Sequence, residues 1–193
     1  MNTILLVDDE DAIRGVFSIF LERSGFAILT AAGGEECLGI LQKEKPDLII
    51  LDIMMQPIDG WETLSSIRRN HDTSNVPVIM FSGKSPMKEE IEQYGKWIED
   101  YLMKPMKFVQ ISDVISTILD RCKDMRVKRE RMISFGADPL MIEEFVCLTR
   151  SLFIRKKFSG VSYKNLDGYE HDLSSIEDRI NQLAPEYPGQ KKP

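Results

Sequence analysis

Over residues 1–120 the chain alternates between two hydrophobic rhythms. Short apolar, β-branched runs fall at Thr3–Val7, Phe26–Thr30, Asp47–Asp52, Val76–Phe81 and Asp100–Met103. Helical three-four patterns lie between and after them, at Asp11–Arg23, Gly34–Lys43, Gly60–Asn70, Met87–Tyr94 and from Phe108 onward. This alternation predicts parallel strands, because each helical crossover returns the chain to the same end of the sheet. Ile4–Val7, Leu48–Leu51 and Val78–Phe81 are apolar at nearly every position, as strands covered by helices on both faces must be. Ser24-Gly25 closes the first helix, and Lys45-Pro46-Asp47 separates the second helix from the third strand. The expected architecture is α/β: a five-stranded parallel doubly wound sheet, followed by an all-α extension.

The extension has its own pattern. Phe108, Ile111, Ile115, Ile118, Cys122, Met125, Arg129 and Met132 are spaced three or four apart, past the point where the last helix of a small α/β domain stops. Ser134–Ala137 breaks the seam, with Gly136 as terminator, and Asp138-Pro139 restarts a helix as cap and first position. Met141, Phe145, Leu148 and Leu152 line that second helix. After a polar loop near Phe158–Lys164, a third helix shows Leu166, Tyr169, Leu173, Ile176, Ile180 and Leu183. Gly168 weakens its start by about 1 kcal/mol relative to Ala. The expected division is residues 1–120, then a helical extension over 121–193 with a disordered end from about 185. The extension reads as helical hairpins rather than a second globular core.

Composition adds limits. Of 193 residues, 42% are hydrophobic and 29% charged, which suits a folded chain with a real core. The longest nearly apolar stretch, Leu48–Met55, contains Asp52, and no basic leader opens the chain. A cytoplasmic protein with no membrane partner is therefore expected. Cys37, Cys122 and Cys147 show no metal-ligand spacing and read as thiols in a reducing compartment. The net charge of −6 is uneven: residues 1–120 hold 11 Lys+Arg against 20 Asp+Glu (−9), and residues 121–193 hold 14 against 11 (+3). The basic run from Arg121 to Arg131 reads as the wet face of a helix, and no helix-turn-helix pattern follows it.

In an open parallel sheet, sites form beyond the carboxyl ends of the strands. Here the first strand ends in Asp8-Asp9, the third in Asp52, the fourth in Ser82-Gly83 and the fifth in Lys104-Pro105. Clustered carboxylates persist only where a cation or proton relieves their repulsion. An all-oxygen donor set suits Mg²⁺ or Mn²⁺. A lysine and a hydroxyl beside such an ion receive phosphoryl oxygens, which leaves Asp52 to act as a nucleophile that forms an aspartyl phosphate.

The same residues carry a family likeness. Asp8-Asp9, Asp52 within Leu-Asp-Ile-Met-Met, Asp59-Gly60, Ser82-Gly83 and Tyr101-Leu-Met-Lys104-Pro105 occur in that order, with 30 residues from Asp52 to Ser82 and 22 from Ser82 to Lys104. Residues 1–120 resemble the receiver domain of two-component response regulators. The resemblance implies a flavodoxin-like strand order 2-1-3-4-5. It implies Mg²⁺ (or Mn²⁺) held by Asp9 and Asp52, with Asp8 assisting partly through water and the Met54 backbone carbonyl as a further ligand. Asp52 would accept a phosphoryl group from a sensor histidine kinase, with Lys104 paired to Asp52 before transfer and to the phosphoryl group after it. Ser82 would turn toward the phosphate and Tyr101 would move inward, reshaping the face of the fourth helix, fifth strand and fifth helix. Lys104-Pro105 would be cis, and a homodimer would form through that face or the helical tail. Beyond accepting and losing its own phosphoryl group the chain would turn over no substrate, so it is not expected to be an enzyme.

Departures from the family pattern are Gln56 four residues after the acceptor, where proline is usual, Met106 in place of an aromatic, and a displaced glycine. Gly95 comes early and Trp97 fills the usual place. Met54 and Lys84 flank the site, and an apolar Met54 would hinder the attacking water and lengthen the phosphoryl lifetime. In the tail, Ile142-Glu-Glu-Phe-Val-Cys-Leu-Thr-Arg, Leu166-Asp-Gly-Tyr-Glu and the Leu173–Leu183 seam are similar to the HalX-type extension of archaeal regulators. Two functions stay open at this point. One is a phosphorylation-controlled regulator acting on transcription through DNA or the transcription machinery. The other is a signalling adaptor or phosphate carrier working only by protein–protein contact.

Overall fold

The computed structural model describes residues 1–159 and 169–184. In chain order the elements are β1 (Thr3–Val7), α1 (Asp11–Arg23), β2 (Ala27–Ala31), α2 (Gly34–Leu41), β3 (Leu48–Leu51), α3 (Gly60–Arg69), β4 (Val78–Ser82) and α4 (Lys88–Tyr94). A 3₁₀ turn (Gly95–Trp97), β5 (Asp100–Met103), α5 (Phe108–Ser134), α6 (Pro139–Ser159) and α7 (Tyr169–Leu183) follow. The expected seam position Leu166, the helix-weakening Gly168, most of the polar loop before them and the expected disordered end all lie outside the described residues. Among the described residues no helix is long and apolar enough to cross a membrane.

The contacts divide the chain into two units. One comprises Met1–Ser85 with Trp97–Cys122; the other comprises Pro86–Lys96 with the chain from Lys123 on. The segment carrying α4 thus groups with the C-terminal helices, a division that the order of elements along the chain does not suggest.

In the first unit the five strands are all parallel in the order β2-β1-β3-β4-β5. Ile4–Val7 and all of β3 and β4 are buried, as strands covered on both faces should be. The edge strand β2 is half-buried. Ile4, Leu6, Leu48, Ile50, Ile79 and Phe81 pack against Phe17 and Leu21 of α1 and against Ile111, Ile115 and Ile118 of α5. Full burial of each such side chain contributes roughly 1.5–3 kcal/mol. Helix α3 starts with a capping box, in which the Asp59 carboxylate accepts from the Glu62 amide at 2.8 Å and the Glu62 carboxylate accepts from the Asp59 amide at 3.3 Å. Arg68 at its far end donates to the carbonyls of Ser74, Val76 and Trp97, tying down the chain around β4 and β5.

In the second unit Gly136, at φ +73°, ends α5 where the sequence places the stop. Met132 of α5, Ile142, Phe145 and Val146 of α6 and Leu183 of α7 form a small buried cluster, so the hairpins share a core of their own. Of the expected α6 seam, Phe145 is buried and Leu148 packs against the cluster, but Ile142 (5% exposed) takes the inward place expected of Met141 (40% exposed). Arg179 of α7 holds Glu144 of α6 in a two-pronged contact, with Nε and Nη2 donating to the two carboxylate oxygens at 2.7 and 2.9 Å.

Candidate functional site

Parallel pairing brings the strand ends to one rim. Val7 pairs with Leu51, so Asp8 and Asp52 emerge side by side. Ser82 pairs with Met103, so Lys104 emerges next to Ser82, and its amide donates to the Ser82 carbonyl at 2.8 Å. The turn out of β3 is shaped by Gly60: a Cβ there would stand 2.2 Å from the Asp52 carbonyl oxygen, so only glycine lets α3 start this close to the aspartate.

The side chains then converge. Asp8 and Asp52 are 1% and 5% exposed, whereas Asp9 is exposed. Lys104 reaches between the buried pair, with its Nζ 2.6 Å from Asp8 Oδ2 and 3.0 Å from Asp52 Oδ2. Burial alone would lower the pKa of this ammonium group. The hydrogen bonds and charges of Asp8 and Asp52 outweigh that cost and hold it above its ordinary value. The other Asp52 oxygen, Oδ1, accepts from the amides of Ile53 at 2.7 Å and Met54 at 3.3 Å. One carboxylate oxygen is therefore fixed by backbone, and the other faces the lysine.

A carboxylate from each of Asp8, Asp9 and Asp52 lies within 4.8 Å of the others. This all-oxygen set fits a hard divalent cation, and the Lys104 ammonium bridging two of its members marks the place as one that needs positive charge. Ser82 is fully buried, and its Oγ accepts from the Lys84 amide at 3.3 Å. Tyr101, expected to move inward when the site is charged, already lies inward at 1% exposure, with its hydroxyl donating to the Lys84 carbonyl at 2.5 Å. Met54 is 64% exposed at the rim. Lys104-Pro105 is cis, as the resemblance implies, and Gln56-Pro57 is cis as well.

Two site residues are not legible in the strand-end pattern. Arg14 of α1 donates to the Asp8 carbonyl at 2.7 Å and to Asp11 at 2.9 Å, and so fixes the loop that carries Asp9. The Phe81 ring faces Lys104, whose Nζ lies 5.3 Å from the ring centroid. The spacing of Arg14 three residues after Asp11 on one helix is a sequence signal for their pairing. Nothing in the sequence singles out Phe81 from the other apolar strand residues.

Residues 4–116 match the family model of the response regulator receiver domain. The chain belongs to that family. The response regulator receiver fold is also what solved structures share with it. The N-terminal domain of a response regulator receiver protein from Methanoculleus marisnigri is 46% identical with a TM-score of 0.53, covering 62% of this chain and 97% of that one. A CheY-like receiver domain protein from Methanospirillum hungatei is 25% identical with a TM-score of 0.59, covering 64% and 98%. Among curated relatives, the transcriptional regulatory protein AfsQ1 of Streptomyces coelicolor is 35% identical over 121 residues, which is 63% of this chain and 52% of that protein. The alkaline phosphatase synthesis transcriptional regulatory protein PhoP of Bacillus subtilis is 35% identical over 118 residues, 61% of this chain and 48% of its own length. This chain spans about half the length of the curated relatives it matches.

Proposed function

We propose that this chain is a cytoplasmic response regulator that accepts a phosphoryl group on Asp52 from a sensor histidine kinase and controls transcription. The observation that carries this reading is the lysine bridge: Lys104 spans two buried carboxylates from neighbouring strand ends, with its ammonium group 2.6 Å from Asp8 Oδ2 and 3.0 Å from Asp52 Oδ2.

In the transfer, Asp52 Oδ2 attacks phosphorus, the bond from phosphorus to the donor's imidazole nitrogen breaks, and the electron pair leaves with the imidazole, which takes up a proton. Asp52 Oδ1 stays bonded to the Ile53 and Met54 amides, which hold the carboxyl plane during attack. The Lys104 ammonium exchanges one carboxylate for the phosphoryl oxygens, and the Ser82 hydroxyl, at the end of the next strand, would turn to donate to them. Asp8, Asp9, Asp52 and the Met54 carbonyl would hold Mg²⁺, with Mn²⁺ as an alternative; the ion, when bound, neutralises the charge that builds between carboxylates and phosphoryl group. Loss of the phosphoryl group returns the site to its start, and no other substrate is turned over.

The transcriptional reading rests on relatives that are named transcriptional regulators and that match this chain over 121 and 118 residues. A second reading, an adaptor acting by protein contact alone, draws support from the α5–α6 turn. Ile133, Phe135 and Leu140 there are 57%, 60% and 80% exposed, more apolar surface than a solvated turn needs.

Incubation with acetyl phosphate and Mg²⁺ followed by intact-mass measurement tests the acceptor. The wild type should gain the mass of one phosphoryl group and Asp52→Asn should not. A wild type that gains nothing overturns the reading.

A further inference from the structure

The displaced glycine has a structural use. Helix α4 and the first two residues of the 3₁₀ turn, Gly95 and Lys96, group with the C-terminal helices, and α6 comes close to them at Gly95. A Cβ at Gly95 would lie 3.5 Å from Cγ2 of Ile154 and 3.8 Å from Cγ2 of Ile91. Ile154 is fully buried and Ile91 nearly so. Gly95 has an ordinary helical backbone at φ −56°, so glycine is not needed there for conformation. What its lack of a side chain provides is room: the Ile154 side chain comes up against the main chain at the end of α4. A methyl group would just fit, and a branched side chain would not. Helix α6 is correspondingly apolar on more than one side, with Ile142, Phe145 and Val146 in the cluster with α7 and Ile154 at Gly95.

The start of α4 leads back to the site through the chain itself. Ser82 ends β4 at the phosphoacceptor rim, its Oγ accepts from the Lys84 amide, and the Lys84 carbonyl accepts from the Tyr101 hydroxyl. The next residues run directly into α4, whose first turn is held by the Met87 amide donating to the Glu90 carboxylate at 2.8 Å. A phosphoryl group that draws the Ser82 hydroxyl toward itself competes with the hold on Lys84 and shifts the segment from which α4 starts.

We propose that α6 is a built-in occupant of the α4 surface, that the seat of Ile154 on Gly95 belongs to the unphosphorylated chain, and that a phosphoryl group on Asp52 loosens it. The proposal rests on Asp52 being the acceptor. The seat and the phosphoryl group then oppose each other, and the opposition is reciprocal: phosphorylation frees α6, and weakening the seat favours the phosphorylated arrangement. While α6 is seated, any other partner for that surface of α4, a second copy included, must displace it first.

The test uses the full chain and two readouts. Amide hydrogen exchange, followed by mass spectrometry before and after acetyl phosphate with Mg²⁺, should quicken about fivefold or more in residues 86–96 and 139–159, with β1 and β3 unchanged. Gly95→Leu and Ile154→Ala should bind beryllofluoride with Mg²⁺, a non-covalent phosphoryl mimic, about fivefold or more tighter than wild type by calorimetry. If Gly95→Leu loses protection in β1, Ile154→Ala decides the matter. A phosphoryl mass gain with no change in exchange, or variants with loosened α4 and unaltered beryllofluoride affinity, overturns the inference while leaving Asp52 as acceptor. Absence of any mass gain in the wild type overturns both.

Discussion

Lys104 is the residue on which the site's electrostatics turn. Its ammonium group is the positive partner of Asp8 and Asp52, both buried. Lys104→Met leaves two carboxylates facing each other, and one of them must take a proton or a cation. Phosphoryl uptake from acetyl phosphate should slow by about 10²-fold or more, the cost of removing a preorganised charge from a transition state. The pH dependence of stability follows from the same contacts. The folded-state pKa of Lys104 is raised, so the stability it adds is fully present below the ordinary lysine value of about 10.4 and is lost as pH rises through the folded value. Urea unfolding at neutral and strongly alkaline pH should show the gap between wild type and variant narrowing with pH, and a widening gap would contradict the assignment. Asp8, Asp9, Asp52, Ser82 and Lys104 were legible as strand-end residues because parallel topology alone sends them to one rim. Arg14 and Phe81 were not, since the first acts on a backbone carbonyl and the second on a lysine distant in sequence.

At the scale of elements, the strands and helices of the first 120 residues fall within about two residues of the hydrophobic pattern, the ordinary uncertainty of helix and strand ends. Both rhythms are strong there because β1, β3 and β4 are buried on two faces, and the helices bury one. The grouping of α4 was not legible. Its apolar positions tell that it buries a face, not that Ile154 of α6 is part of what covers it. Met141 was read into the α6 seam for a related reason: a helix packed on several sides has no single stripe to read. Its core makes a clear prediction. Phe145 is 3% exposed within the cluster of Met132, Ile142, Val146 and Leu183. Phe145→Ala should destabilise the helical unit by roughly 3–5 kcal/mol, seen as faster hydrogen exchange in α6 and α7 with β1 and β3 unchanged. Arg179→Ala, which removes an exposed ion pair with Glu144, should leave that exchange as it was. The reverse order would mean that the ion pair rather than the cluster holds α7.

For the whole molecule, charge limits how the output can reach transcription. The acidic front carries −9 and the rest +3, so net charge gives the chain no overall attraction to nucleic acid. The positive charge that α5 does expose, at Lys123, Arg126, Lys128 and Arg131, is interleaved with exposed Asp124 and Glu130. Were those four side chains all to contact phosphates, log affinity would fall against log salt with a slope of about −3.6. Contacts of that kind alone lose about 10²-fold in affinity between about 50 and 200 mM salt, so base contacts must add to them for tight binding near 0.15 M. The exposed Ile133, Phe135 and Leu140 at the adjoining turn suit a protein surface better than a phosphate backbone. The expected result of a salt series on random duplex DNA is therefore no retention of the phosphorylated chain near 0.15 M salt, and a slope shallower than −3 below it. The output would then run through a protein partner. A slope near −3.6 that Arg126→Ala and Arg131→Ala each reduce by about 0.9 would instead place DNA on α5.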